Sequence, residues 1–559
     1  MSRNRAGRRY REWITAVILL LAAGVAFFRI AVDTGPPEGD ERVVEQAERK
    51  TVGQEQYICQ DSWLKKNQYG LWEMYLAGSD FELGVKHGVL AKEQIHYQED
   101  VFINQLRELV PSEFYLRFLK YVVAWMNRKL DDHIPLEYLR EIYGVSLQAS
   151  ESYSFIGPPY QRIMDYHAAH DIGHALQNMN LVACTAIGVS GSRSADGQLL
   201  VGRNFDFSMG DDFARNKIIA FYRPDHGYSF ASISWGGMIG VVSGMNDQGL
   251  VVTLNAAKSG IPKSAKTPTS ILARQILQYA STIEEAFELA SQSETFVAES
   301  FLISSAKDGK TVVIEKSPLG LDIYDPGDEM LVLTNHFQGE KFRNSELTLR
   351  NMEEGSSVYR WERARELLER TGKHDEETFA KILRDRLGRG DADIGMGNEK
   401  SVNQLIAHHS VIFKPMELKI WVSAFPYSLG AYLCYDLNEV FADSAGIYDQ
   451  LYIPEETIDE DPFLASREFR DYLEYRQETR RIRIIIEESR HGEAEDPVME
   501  RYLALNPNYY YPYFLAGEYY RVTGNIVLAD EMYKRSLSLE IPRKVDRKSI
   551  LEAREVLHQ

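Results

Sequence analysis

Apolar residues recur along this chain with two different periods, and the change from one to the other divides it. Between Tyr57 and about residue 180 they fall three and four apart, which predicts helices over 81–88, 112–127 and 160–178. From 184 to about 257 the texture changes to short β-rich runs broken by turns, predicting strands at 217–222, 229–234 and 249–255. A helix pair follows over 269–292. Further strands are expected at 301–304, 311–315, 321–324, 330–335, 410–413, 418–422 and 430–433, with helices over 357–387. Past about 440 the strand signals stop and the sequence becomes charged and helical. Two sheets with helices outside them satisfy this order, an α+β class.

The N-terminus has its own pattern. Arg3, Arg5, Arg8, Arg9 and Arg11 form a basic tail over 1–12, ahead of an apolar run over 13–32 interrupted by Arg29. The run is expected to be a transmembrane anchor or a cleaved signal, and the basic tail then places residues 33–559 outside the cytoplasm, periplasmic or extracellular. Residues 33–56, with Gly35-Pro-Pro-Glu-Gly-Asp40, read as a linker. At the other end, Tyr513, Gly517, Tyr520, Gly524, Ala529 and Tyr533, with Pro507 before them, resemble one tetratricopeptide repeat. The stretch 507–542 is thus a candidate surface for a protein partner or, more simply, a helical cap on its neighbours.

With 559 residues, 44% of them hydrophobic, the chain can bury a large core, and a net charge of −19 argues against nucleic acid as a partner. Three cysteines, at 59, 184 and 434, are too few and scattered for a disulfide framework. One of them stands in a telling place. Cys184 opens an alternating run, a polar Asp196-Gly197 turn follows, and a second run ends in Gly202-Arg-Asn-Phe-Asp206. This is a hairpin with a thiol at one strand's start and an arginine and a carboxylate at the other's end.

These motifs resemble the choloylglycine hydrolase and isopenicillin-N acyltransferase families over roughly residues 75–435. The resemblance implies a four-layer αββα N-terminal-nucleophile (Ntn) hydrolase sandwich over 184–440, preceded by a helical pro-segment over 57–183 and followed by a small all-α tail over 441–559. It implies Cys184 as nucleophile, Arg203 as the cation that stabilises its thiolate, and Asp206 as the carboxylate that orients the free α-amino group. It also implies oxyanion-site amides from Asn255, at the end of Gly244-Met-Asn-Asp-Gln-Gly-Leu-Val-Val-Thr-Leu-Asn, and from Asn335, and a second arginine at Arg360. The chain is then expected to cut itself between Ala183 and Cys184, where Ala183 departs from the glycine of the acyltransferases. No cofactor is implied.

The chemistry agrees with that assignment. Acyl transfer from an amide needs a thiolate, a proton acceptor and donors for the developing oxyanion. A free α-amino group is a suitable acceptor, and neighbouring arginines lower a thiol's pKa. The expected substrate is a small acyl amide. Two other readings stay open. His167, His170 and His174 share one helix face with Asp171 and could hold a divalent metal, and the fold could be an unprocessed scaffold whose tail binds a partner. His408-His409 reads as a core or edge pair, Trp235-Gly-Gly237 as a strand end near the site mouth, and 455–461 as an acidic linker.

Overall fold

A computed structural model describes the chain except residues 1–12, 14–18, 20–22, 25–26, 29–30, 110–111, 176–181, 259, 261–263, 443–445, 448, 490–497 and 558–559. It is a mixed α+β structure built on two large sheets of eleven and seven strands. In the seven-stranded sheet the neighbours run Met330–Leu333, Val182–Val189, Leu200–Phe207, Ala407–Lys414, Lys419–Ser423, Tyr432–Asp436 and Tyr452–Ile458. The predicted hairpin forms its second and third strands, with Cys184 opposite Phe205 and Ala183 opposite Asp206.

Alternation along the strands decides what faces what. Ala186, Val201, Val411, Phe413 and Val422 meet Phe221, Ile233, Met245, Val251 and Leu302 of the larger sheet in one buried apolar cluster. On the smaller sheet's other face, Ile187, Leu200 and Ile412 pack against Ala364 and Leu368 of the helix Ser357–Thr371 and Phe379 and Leu383 of the helix Glu376–Leu383. Gly202 is required there, since a Cβ would lie 2.8 Å from the Phe379 ring. On the larger sheet's other face, the helices Thr269–Tyr279 and Ile283–Gln292 contribute Leu272, Ile276, Leu277 and Ala286.

Three expectations change. The segment before Cys184 is not purely helical: Lys50–Gly53, Gln56–Cys59, Ser62–Lys66 and Trp72–Gly78 are strands that extend the larger sheet, the last running parallel to Ile218–Pro224 over seven register pairs. The first of them, Lys50–Gly53, is the sheet's edge and is largely exposed, so its apolar alternation is faint. The acidic run expected to be a linker begins inside the strand Tyr452–Ile458, which pairs with Tyr432–Asp436. The third change concerns the membrane. Most of 13–32 lies outside the described residues, and among those described no helix is long and apolar enough to cross a membrane. The transmembrane anchor, and the membrane-anchored localisation built on it, are therefore withdrawn. The physical reason is length, because Arg29 stops the apolar run about four residues short of the ~20 a spanning helix needs.

The tail consists of helices Arg467–Ser489, Met499–Leu505, Tyr510–Val522, Ile526–Leu537 and Lys544–Val556. It packs onto the sheets' end. Leu405, Ala407, Tyr427 and Leu429 share a buried cluster with Phe469, Tyr472, Tyr475, Tyr502 and Leu505.

Candidate active site

The strand Val182–Val189 holds Cys184 with none of its surface exposed, and three side chains converge on its three polar groups. Arg203 Nη2 donates to Cys184 Sγ at 3.3 Å. Asn335 Oδ1 accepts the Cys184 amide hydrogen at 3.0 Å. Arg360 Nη1 donates to the Cys184 carbonyl at 2.7 Å and to Thr185 Oγ1 at 2.9 Å.

Each of these side chains is held from behind. Arg203, two residues before Phe205 on the neighbouring strand, lies over the Phe205 ring at 4.6 Å and donates to the Val242 carbonyl at 2.8 Å, to Ser243 Oγ and to the Leu254 carbonyl. Arg360 projects from the first turns of the helix Ser357–Thr371, and its Nη2 donates to Asn335 Oδ1 at 2.7 Å. Asn335 follows the strand Met330–Leu333, its main-chain N–H donating to Ser357 Oγ at 2.8 Å and its Nδ2 to the Ala256 carbonyl at 2.9 Å. Arg363 of the same helix is occupied by Asp385, Asp391 and Glu366, whereas Arg360 is the one that reaches Cys184.

Asp206 and Asn255 are near but differently engaged. Asp206 alternates onto the opposite face of its strand from Phe205, beside Ala183. One of its oxygens accepts from Gln404 Nε2 at 3.1 Å and the other has no partner. Asn255 ends the strand Leu250–Ala256, its Nδ2 reaching the Leu333 and Thr334 carbonyls at 3.4 and 3.3 Å while its Oδ1 is unpartnered.

Burial dominates the electrostatics of the uncut chain. It pushes the Cys184 thiol up to about 11, with Arg203 pulling the other way and Asp206 and Glu299 adding to the rise. The arginines therefore do not bring this thiol near neutrality while the chain is intact. Burial also raises the Asp206 carboxyl to about 7 against the pull of Arg360 and Arg203, and lowers both arginines. Glu299 opens the strand Glu299–Ser305, fully buried with neither oxygen partnered among the described residues, and burial together with the nearby Asp171 pushes its carboxyl well above the usual range against the pull of Arg203. The sequence gives no sign of Glu299 in the site, since the apolar pattern places that strand's start at 301.

The proposed metal helix has another task. His167 Nδ1 bonds the Ile163 carbonyl at 2.8 Å and its Nε2 accepts the Ile239 N–H at 3.0 Å, so both ring nitrogens are taken. Asp171 accepts from the Thr269 amide at 2.8 Å and from the Thr269 hydroxyl at 2.6 Å, at the start of the helix Thr269–Tyr279. The side chains of His170 and His174 lie outside the described residues. No cluster of three or more His, Cys, Asp or Glu that could hold a metal occurs among the described residues. The histidine helix is thus a docking surface of the N-terminal segment. His87 adds to it, accepting the Gly237 N–H at 3.2 Å, and Gly236 beside it admits the main chain of Gln94, which a Cβ would meet at 2.4 Å.

Comparison with known proteins follows the same geography. The profile of the family described as acyl-coenzyme A:6-aminopenicillanic acid acyl-transferase matches residues 192–424. That stretch takes in Arg203, Asp206, Asn255, Asn335 and Arg360 and begins after Cys184. An uncharacterized protein of Archaeoglobus fulgidus is 24% identical over 258 residues, 43% of this chain and 42% of the relative. Protein dcd1B of Dictyostelium discoideum is 22% identical over 278 residues, 46% of this chain and 52% of the relative. The chain thus spans about half the length of the curated relatives it matches. Among solved structures, a Caenorhabditis elegans ortholog of N-acylethanolamine-hydrolyzing acid amidase is 21% identical with a TM-score of 0.31, covering 42% of this chain and 93% of that one. A mutant conjugated bile acid hydrolase from Clostridium perfringens is 15% identical with a TM-score of 0.33, covering 48% and 95%.

Proposed function

We propose that this chain is a cysteine-nucleophile amidohydrolase or acyltransferase of the Ntn type, acting on linear carbon–nitrogen amide bonds after cutting its own Ala183–Cys184 bond. One observation carries the reading: the thiol, the amide hydrogen and the carbonyl of a single buried residue, Cys184, are each held by a different polar side chain, Arg203, Asn335 and Arg360. A structural cysteine needs none of them. The family match over 192–424 supports the same reaction class, and the two sheets with helix-packed outer faces are what a four-layer αββα sandwich requires.

In self-cleavage the Cys184 thiol loses its proton and the sulfur attacks the Ala183 carbonyl carbon. The bond from that carbon to the Cys184 nitrogen breaks, the nitrogen takes up a proton, and a thioester results. Water then attacks the thioester, releasing the thiol and an Ala183 carboxylate. Asp206, opposite Ala183 across the ladder and with its carboxyl raised to about 7, is the candidate carboxylate that orients the α-amino group released by the cut.

Cleavage creates an α-amino group on the nitrogen that Asn335 already holds. That amine takes the thiol proton in each later turnover and the sulfur attacks the substrate carbonyl carbon; the proton passes to the substrate nitrogen as its C–N bond breaks and the substrate's amine departs, and water or a second amine then attacks the acyl-thioester, releasing the acyl product and the thiol. Arg203 stabilises the thiolate, and Asn255 and Asn335 are the candidate amide donors to the oxyanion. The tail from 467 onward serves as a packed helical cap, its single repeat-like hairpin closed by Gly517 against the Tyr533 ring. Mass spectrometry of protein mixed with an N-acyl p-nitroanilide tests the turnover step. An acyl adduct on Cys184 is the expected result; hydrolysis that persists in a Cys184→Ala protein would exclude it.

A further inference from the structure

His408 and His409 belong to none of these roles, yet they adjoin the nucleophile. The strand Ala407–Lys414 runs beside Leu200–Phe207 with Ala407 opposite Asp206 and His409 opposite Phe205, so His408 is one residue too many. Such a β-bulge breaks the alternation of faces and re-aims a side chain. Here it brings two successive imidazoles together, Nδ1 to Nδ1 at 2.9 Å. Both rings lie against Phe205, the residue opposite Cys184, with centroids 6.2 and 5.3 Å away.

Counting hydrogens fixes the tautomers. Arg203 can only donate, so Ser243 Oγ accepts from its Nη1. The one hydroxyl hydrogen of Ser243 then has His409 Nε2, 2.8 Å away, as its acceptor. The reverse arrangement would strand that hydroxyl hydrogen in a buried position. His409 is neutral, since burial and the neighbouring Arg203 and Lys217 oppose its protonation, so its hydrogen sits on Nδ1 and is donated to His408 Nδ1. His408 is neutral for the same reasons, with Lys217 and Arg203 again nearby, and carries its hydrogen on Nε2. That atom is buried and has no hydrogen-bond partner among the described residues. Around the ring stand Trp235 at 5.2 Å and Phe213 at 5.7 Å, edge to face, and Phe205 and Phe213 belong to the same apolar cluster as Cys184. The four-member chain from Arg203 through Ser243 and His409 thus ends on a buried donor that is unused among the described residues.

We propose that His408 Nε2–H is a substrate-recognition donor, which binds an acceptor oxygen within the acyl chain of the amide substrate in a subsite otherwise walled by Phe205, Phe213 and Trp235. His409 and Ser243 position it and couple it to Arg203. This rests on the amidohydrolase reading, with the acyl group lying against the apolar cluster beside Cys184.

Affinity for acyl acids tests it without relying on turnover. Purified protein is titrated calorimetrically with decanoic acid analogues in which an ether oxygen replaces one methylene at successive positions. One isomer is expected to bind about tenfold more tightly than its neighbours, the worth of one hydrogen bond. His408→Phe removes that preference, while His408→Gln, which keeps an N–H donor, retains part of it. A flat scan, no binding of any acid, or a preference that survives His408→Phe overturns the proposal. Amides of the same acids are assayed in parallel: their inertness would count against the amidohydrolase reading, while the scan still judges His408 on binding alone.

Discussion

Asn335 Oδ1 lies 3.0 Å from the main-chain nitrogen of Cys184, the atom that cleavage would turn into a free amine. The same oxygen accepts from Arg360, so one amide side chain ties the future base to the second arginine. Asn335→Ala is expected to lower kcat about 10²–10³-fold, as for loss of a site donor, and to leave Arg360 Nη2 without its side-chain partner, at a stability cost of about 1–3 kcal/mol. Steady-state kinetics with a melting curve on the same preparation checks both; near-normal kcat in a folded protein would remove Asn335 from the site.

Arg203 is the cation in contact with the sulfur. In processed protein, Arg203→Ala should move the pH dependence of Cys184 alkylation to higher pH, because the thiolate loses its nearest positive charge. Arg203→Lys should restore part of the shift. The rate of iodoacetamide modification against pH measures it, and an unchanged curve would assign the role elsewhere.

Asp206 makes a prediction about stability. Its carboxyl has an ordinary value near 3.8 and is raised to about 7 in the fold, so the folded chain holds that proton more tightly than the unfolded chain. The contribution is complete below about pH 4 and is lost as pH rises through about 7, at about 1.4 kcal/mol per unit. Glu141 and Asp165, also raised to about 7, add the same trend. In an uncut Cys184→Ala background, Asp206→Asn should therefore flatten the fall in melting temperature between pH 4 and 7. Parallel slopes with and without Asp206→Asn would show that this carboxyl is ordinary.

The tail is bound to the sheets by tyrosines. Tyr475 is buried between Tyr502, with stacked rings 5.7 Å apart, and Tyr509, edge-on at 6.3 Å. Tyr475→Ala should cost about 3–5 kcal/mol, comparable to other large aromatic truncations. Deleting residues 467–559 uncovers Leu405, Tyr427 and Leu429 and should give insoluble protein. Expression of the truncated chain as a soluble, cooperatively melting protein would make the tail an independent module.

The central strands were legible because both their faces are buried. The near-continuous apolar runs at 217–222 and 249–255 mark Ile218–Pro224 and Leu250–Ala256 to within two residues. The edge strand Lys50–Gly53 is not legible, because Lys50, Thr51 and Val52 are exposed and the pattern of an edge strand is set by its partner. Of the site, the motif residues could be read because Gly-Arg-Asn-Phe-Asp is dense and local. Glu299 and the Ser243–His409–His408 chain could not, since they meet only through sheet register and a bulge, which a sequence does not display. The thiol's environment was read with the wrong balance: arginines beside Cys184 suggested a lowered pKa, but complete burial outweighs them.

The central claim is that Cys184 cuts the bond before it. Intact-mass analysis of the purified wild-type and Cys184→Ala proteins tests this directly. The wild type should give two fragments, the second beginning at Cys184, and because the first supplies strands to the larger sheet the two should stay together until denatured. Cys184→Ala should give one uncut chain. Wild-type protein that hydrolyses amides with its Ala183–Cys184 bond intact would contradict the account.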